Sequence, residues 1–467
     1  MINGNLRTKS PKPTEPYIDA TARSYPVKDQ TKIATRKLAR SAITGAAATK
    51  IGAKHLSYMG KRVLTKEEDR EQLQEQHNRD LGKLLFAALS QLRGTALKAS
   101  QILSTEASFL PKSIREELGR ACYQVPPINR ALIRKVFIQQ FEQAPEKLFS
   151  EFNSEAFAAA SIGQVHDART NNNESVAVKI QYPGIAASIE SDVRLMQGVL
   201  NTLSSALAFI PSKDAVEHTL NEVKERLQEE VDYQSEADHT EWFRKRLDST
   251  KYCVPRVFHE FSTNRVLTTE KITGQHIDEW LKKNPSQKQR NSFGQLLFDY
   301  FIHSNFELKC INPDFHPGNF LMMDDGRLGI LDFGCVKKFG DDYPEIVSEL
   351  FSTFKRCHYN LDMKELMLAY QNLGLIKPDL EEETFVEDIY PSCKLIIDWF
   401  IEPFLKDTFN FKYKLPYPAE IHKEGKKTAK HLYLLKEEQM SFDRGYLGLM
   451  NLLARLEADI ITDNPWL

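Results

Sequence analysis

Residues 311–334, INPDFHPGNFLMMDDGRLGILDFG, constrain this chain more than any other stretch. Asp314 and Asn319 stand five apart with Pro317 and Gly318 between them, and Asp332 follows thirteen residues later in an Asp-Phe-Gly. The residues between read as a hairpin: an apolar strand, an Asp-Asp-Gly turn, and a second apolar strand. Such a hairpin returns both ends to one edge. The three side chains then suit a catalytic base, Asp314, and two metal-binding positions, Asn319 and Asp332.

A segment of this kind needs a phosphate loop and a lysine upstream, and both are present. The glycine loop of protein kinases runs Gly-x-Gly-x-x-Gly-x-Val. Here AAASIGQV supplies Ala158, Ala160, Gly163 and Val165 at those positions, with Ala159 and Ser161 beside them. Lys179 of VAVK falls fourteen residues after Val165, as a two-strand hairpin requires, and is suited to hold the α- and β-phosphates. Glycine lets backbone approach phosphate and visit positive φ; the Cβ atoms of Ala158 and Ala160 restrict both. The lysine also needs a carboxylate partner. LQEEVDYQSEADH offers Glu229, Glu230, Asp232, Glu236 and Asp238. Glu230 and Glu236 lie nearly two turns apart, so one helix read across 214–246 reaches two different partners.

With 467 residues the chain has length for two or three packed units. A formal net charge of -2 supplies no global field for nucleic acid. Local charge differs: from Lys32 to Lys66 there are nine Lys or Arg and no acidic residue, which suits docking on anionic lipid headgroups as well as a solvated helix face. Six scattered cysteines without a Cys-x-x-Cys pair point to a reducing compartment and away from structural zinc. No apolar run reaches the roughly 18 to 20 residues of a spanning helix. The N-terminus shows no signal-peptide core, and Glu15, Asp19 and Asp29 argue against a transit peptide.

Periodicity organises the rest. Residues 1–30 read as a flexible polar arm with four prolines, 31–66 as a basic Ala/Gly-rich helical segment, and 67–150 as helical throughout. From 155 the pattern alternates as strands, with a turn at TNNNES before VAVKIQYPG. Helices are expected at 186–210 and 214–246, a strand at 265–272, and mostly helix after Gly334.

Taken in order, ALKASQIL, FAAASIGQVH, VAVKIQYPG, EEVDYQSEA, DFHPGN and LDFG resemble the UbiB family of atypical kinases linked to ubiquinone biosynthesis, over about residues 75–340. The resemblance implies an α+β fold, protein-kinase-like and bilobal, with an added N-terminal helical subdomain (67–150), an N-lobe (151–275) and a mostly helical C-lobe (276–467). It makes Lys98 and Gln101 the family's Lys-x-Gly-Gln motif, on a helical extension folded across the active site. It makes Glu230 and Asp232 the Glu-x-Asp, with Glu230 expected to pair with Lys98, and it pairs Glu236 with Lys179. Two departures stand out: Ser100 replaces the family's glycine, and Phe315 stands where bacterial members usually have proline. No Ala-Pro-Glu follows Asp-Phe-Gly, so a peptide-substrate platform is not expected.

The expected activity is that of an atypical kinase or ATPase using ATP and Mg2+, with water, a small molecule or a lipid as acceptor. Expected partners are adenine nucleotide, anionic membrane, and a quinone precursor or enzymes of ubiquinone biosynthesis, without nucleic acid. The expected location is the cytoplasm or the inner-membrane surface in a bacterium, or the matrix side of mitochondria in a eukaryote. Two alternatives compete. Small-molecule kinases of the aminoglycoside or choline type share the Asp-x-x-x-x-Asn loop but lack the KASQ helix and AAAS loop, and a nucleotide-switched scaffold would bind ATP without chemistry.

Overall fold

The acid-free basic segment forms a long helix, α1 (Lys37–Leu64), with Ala47, Ile51 and Tyr58 buried and Leu56, Met59 and Val63 exposed. The structure, a computed structural model, describes residues 37–89, 95–106, 110–121, 130–160, 162–206, 213–417, 431 and 437–467. The 1–30 arm and Ser161 therefore lie outside the described residues, as do the side chains of Gln101 and Ala159. By packing, the chain divides into two compact units: Met1–Pro126 with Ser191–Val223, and Pro127–Glu190 with Lys224–Leu467. They cut the chain differently from the linear boundaries expected above.

In the first unit α1 packs on α2 (Arg70–Leu89). The Tyr58 ring stacks on His77 at 4.1 Å, and Lys54 reaches Asp80 at 2.7 Å. α3 (Thr95–Glu106) and α4 (Lys112–Ala121) follow, and α2 meets α4 at Gly82. A Cβ on Gly82 would stand 3.0 Å from Glu117 Cβ and 3.1 Å from Ile114 Cα, so only a hydrogen fits comfortably there. Thr95 Oγ1 donates to Asp192 Oδ2 at 2.8 Å, tying α3 to the 191–223 segment.

The second unit opens with α5 (Arg130–Phe141) and the single turn α6 (Pro145–Leu148). Three strands follow: β1 (Glu151–Ala160), β2 (Gly163–Arg169) and β3 (Ser175–Gln181). Along the chain α7 (Ile185–Ala206) and α8 (Lys213–Glu230) come next, each lying mostly in the first unit, and α9 (Tyr233–Arg244), β4 (Tyr252–Cys253) and β5 (Val266–Glu270) belong to the second. β1-β2-β3-β5 form an antiparallel sheet in that order. Val176, Val178 and Ile180 of β3 are fully buried, and Ile133, Val136 and Phe137 of α5 join them in one core. An apolar sheet face must be covered. That need draws α5, which reads from sequence as one more helix of the 67–150 run, onto the sheet.

The helix expected across 214–246 is two helices. α8 ends at Glu230, and Asp232 caps α9 by accepting from Ser235 N at 3.0 Å. A short acidic side chain competes with its own backbone and favours the cap over the helix interior.

The remainder is mostly helical. α10 (Ile277–Leu281) precedes α11 (Gln287–Ile302), which starts with a Ser286/Gln289 capping box. β6 (Cys310–Ile311), β7 (Phe320–Met322) and β8 (Leu328–Ile330) carry the 311–334 segment, and β9 (Lys337–Lys338) follows it. β7 and β8 pair antiparallel, Phe320 opposite Ile330, which is the hairpin that the Asp-Asp-Gly turn indicates. Then come α12 (Tyr343–Tyr359), α13 (Met363–Asn372), α14 (Glu382–Thr384), α15 (Tyr390–Ile401), β10 (Thr408–Asn410), α16 (Glu437–Leu456) and β11 (Asp459–Ile461), with β10 paired to β11. Phe301, Phe315, Phe351, Phe442 and Tyr446 are among the aromatic side chains of their shared core. The fold class is α+β. No helix among the described residues is long and apolar enough to cross a membrane.

Candidate active site

Val165 and Lys179 face each other directly across β2 and β3, so the fourteen-residue spacing is a hairpin register. Residues opposite each other in an antiparallel pair point to the same side of the sheet. Lys179 Nζ donates to Glu236 Oε1 and Oε2, each at 2.8 Å, and lies 3.7 Å from Asp332 Oδ2. Its ammonium also stands 4.9 Å above the Tyr233 ring. Of the five carboxylates that the sequence offers, α9 thus presents Glu236, in its first turn, to Lys179.

Electrostatics follow from that geometry. Burial opposes the Lys179 charge, but Glu236 and then Asp332 overcome it and hold the amine well above the ordinary lysine range. Burial pushes the Glu236 carboxyl up to about 7 against the pull of Lys179. Lys179 is the cation that carries this cluster.

The Asp-Phe-Gly turn is built against α9. Phe333 is fully buried with its ring 4.9 Å from that of Phe243, and His239 Nδ1 donates to the Phe333 carbonyl at 3.3 Å. Asp332 Oδ1 accepts from Gly334 N at 2.9 Å. A Cβ on Gly334 would lie 3.4 Å from Asp332 Oδ1 and 3.6 Å from Glu236 Oε2, so the turn sits beside the ion pair.

The loop carrying Asp314 is closed by its own side chains. Asn312 Oδ1 accepts from Asp314 N at 3.1 Å while Asn312 Nδ2 donates to the Asp332 carbonyl, linking the two aspartate segments. Asn319 Nδ2 donates to the Asp314 carbonyl at 2.9 Å, which leaves its amide oxygen as the atom suited to a cation. His316 Nδ1 accepts from Gly318 N at 3.0 Å, a loop-capping contact. Among the described residues no group of three or more His, Cys, Asp and Glu forms a metal cage. One carboxylate and one amide oxygen fit magnesium, which takes few protein ligands and completes its octahedron with water and phosphate.

The remaining expected residues are distributed as follows. Glu230 is buried and accepts from Cys335 Sγ at 3.7 Å. Glu229 instead pairs with Lys337 at 2.5 Å. Asp232 is the α9 cap. Lys98, in the first unit, is 1 % exposed, which excludes a solvated helix face, with Ala99 and Ser100 equally buried beside it. Ala158 pairs with Val165 and Ala160 with Gly163, after register shifts that bend β1 near Ala156. Reading by motif missed Asn312, Tyr233 and His239. Asn312 follows a β-strand and precedes Pro313, an Asx-turn signal that does point to a structured loop.

The ABC1 atypical kinase-like domain model matches residues 121–367, just over half of the chain. The probable serine/threonine-protein kinase abkA of Dictyostelium discoideum is 28% identical over 398 residues, covering 80% of this chain and 67% of that protein. The mitochondrial atypical kinase COQ8 of Saccharomyces cerevisiae is 28% identical over 382 residues, 79% of this chain and 72% of that one. Among solved structures, Rv3197 of Mycobacterium tuberculosis in complex with erythromycin superposes with a TM-score of 0.57 at 26% identity, covering 85% of this chain and 96% of that one. The sheet, the lysine-bearing strand and the hairpin ending in Asp-Phe-Gly are those of a kinase-like fold, and the chain belongs to the ABC1 atypical kinase-like family, the UbiB family that its motifs resemble.

Proposed function

We propose that this chain binds Mg-ATP and works as an atypical kinase or ATPase in support of ubiquinone or related isoprenoid-lipid metabolism at a membrane surface. The observation carrying the proposal is the cluster of Lys179, Glu236 and Asp332, two contacts at 2.8 Å and one at 3.7 Å. In this reading Lys179 holds the α- and β-phosphates, oriented by Glu236, and the alanine loop of Ala158, Ala159, Ala160, Ser161, Gly163 and Val165 lies along the nucleotide. Asn319 and Asp332 are the ligands of a magnesium ion that neutralises phosphate charge. Asp314 orients the attacking water or hydroxyl and accepts its proton as the bond to the γ-phosphorus forms and ADP leaves.

Lys98, Gln101, Glu230 and Asp232 belong to this reading as the family's helical-extension motifs. The burial of Lys98 and Glu230 supports a role for them away from bulk solvent. The acceptor is proposed to be water, a small molecule or a lipid. The acid-free charge of the Lys32–Lys66 segment and the exposed Leu56, Met59 and Val63 support anionic membrane as a partner. Kinship with a mitochondrial kinase, COQ8, supports a mitochondrial or inner-membrane setting.

The test is ATP turnover by the purified chain, with and without anionic liposomes and a phenolic quinone precursor. Magnesium-dependent turnover that liposomes or the phenol accelerate is the expected result. Tight nucleotide binding with no turnover under any of these conditions would favour the scaffold reading instead.

A further inference from the structure

We propose that the last long helix, α16, positions the Asp314 loop, with Arg444 holding the Asp314 carboxylate and Gly445 and Gly448 forming the seat for its neighbours. The inference rests on the reading of Asp314 as the group that orients the nucleophile. Arg444 Nη2 lies 3.7 Å from Asp314 Oδ1, and the two side chains are only 23% and 18% exposed. An ion pair so shielded is weakly screened by salt.

The glycines give the contact its precision. A Cβ on Gly445 would stand 2.7 Å from Ile311 Cδ1 and 3.6 Å from Pro313 Cα. One turn later, a Cβ on Gly448 would stand 2.7 Å from Phe315 Cβ and 3.5 Å from its Cα and carbonyl oxygen. The Gly448 neighbours are backbone and near-backbone atoms, which have no rotamer to escape into. Ile311, Pro313 and Phe315 thus rest on the helix at every second residue, with Asp314 between the last two and against Arg444. Glycine inside a helix is unfavourable relative to alanine. Two of them, three residues apart on the face that meets the loop, have a packing reason here.

Phe315 completes the argument. Its ring lies 5.8 Å from Tyr300, 5.7 Å from Phe301 and 5.4 Å from Phe320, wedged between α11 and β7. The Phe315 side chain is therefore held on one side by aromatic rings and on the other by Gly448. Phe315 and Gly448 are a matched pair that fixes where Asp314 stands.

The experiment compares the full chain with Arg444→Gln, Arg444→Lys and Gly448→Ala. Two readouts are used: kcat and KM for Mg-ATP, and amide hydrogen exchange over residues 311–319. Arg444→Gln and Gly448→Ala are expected to lower kcat on the order of tenfold to a hundredfold with KM nearly unchanged, the signature of a misplaced reacting group. Exchange over 311–319 should quicken in both ahead of the rest of the chain, and Arg444→Gln should keep the wild-type melting temperature. Arg444→Lys, which keeps the charge, should recover part of the kcat lost in Arg444→Gln. Unchanged exchange over 311–319 in Arg444→Gln and Gly448→Ala overturns the proposal, as does a kcat loss in Arg444→Gln that comes with a general fall in melting temperature and that Arg444→Lys does not reduce. Exchange does not depend on turnover. A wild-type chain that never hydrolyses ATP would sink the proposed function, while the loop's response would still decide this inference.

Discussion

Lys179 Nζ sits 2.8 Å from both carboxylate oxygens of Glu236, joining the third strand of the sheet to the first turn of α9. Fifty-seven residues separate the two. If this pair holds phosphate, Lys179→Ala should weaken Mg-ATP affinity at least about tenfold by removing a charge-assisted contact. Calorimetric titration reads this directly, and wild-type affinity in the variant would remove Lys179 from the site. Folding should suffer less than for most broken buried pairs, because burial already favours the protonated Glu236 that remains.

Asp332 is the carboxylate that the proposal assigns to magnesium. In the wild type, Mg-ATP at about a hundred times its dissociation constant should stabilise the fold by about 2.7 kcal/mol. Asp332→Asn should lose that magnesium-dependent gain and melt normally without nucleotide. Identical thermal shifts for the two proteins would mean the metal is held elsewhere.

Ala158 lies on the bent end of β1, opposite Val165. Ala158→Gly restores the backbone freedom of an ordinary kinase loop. It should change the ratio of ATP to ADP affinity or permit self-phosphorylation, measured by competition binding and phosphate labelling. No change in either would show that the alanines do not restrain the nucleotide.

Gly163 has no room for a side chain: a Cβ would stand 2.3 Å from the Ile180 carbonyl oxygen and 2.9 Å from Tyr233 Oη. Gly163→Ala should therefore push β2 away from β3 and cost about 1–3 kcal/mol as an overpacked core does. Urea unfolding measures it. A midpoint equal to wild type would contradict the close packing described here.

Asp443 on α16 supplies a pH signature. Burial raises its carboxyl to about 7, Gln439 opposing by donating at 2.7 Å, with Tyr343, Tyr370 and Tyr417 nearby. A folded value raised above the unfolded one favours the folded state most below the unfolded value, near 3.8, and that advantage is lost as pH climbs through about 7. Between pH 5 and 8 the melting temperature of the wild type should fall relative to that of Asp443→Asn, which mimics the protonated acid, by a few degrees. Parallel curves would mean Asp443 is ionised throughout.

What the sequence alone determined is local. The Asp-Asp-Gly turn and its flanking apolar runs specify the β7–β8 hairpin, and the fourteen residues from Val165 to Lys179 specify a strand register, because turn chemistry and side-chain alternation act between near neighbours. The order of the family motifs, from KASQ to LDFG, was legible for the same reason. Tertiary structure decided the rest. Five carboxylates in thirteen residues are equivalent by pattern, and only the break at Asp232, which starts α9 afresh, presents Glu236 to Lys179 and leaves Glu229 to Lys337. The cover on the sheet is α5, which has nothing in its pattern to separate it from the helices before it. Arg444 stands 130 positions beyond Asp314 and carries no motif. Its place beside that carboxylate exists because two glycines let α16 come within a hydrogen's width of the loop, a condition set by packing across the core and by nothing in the residues adjacent to either group.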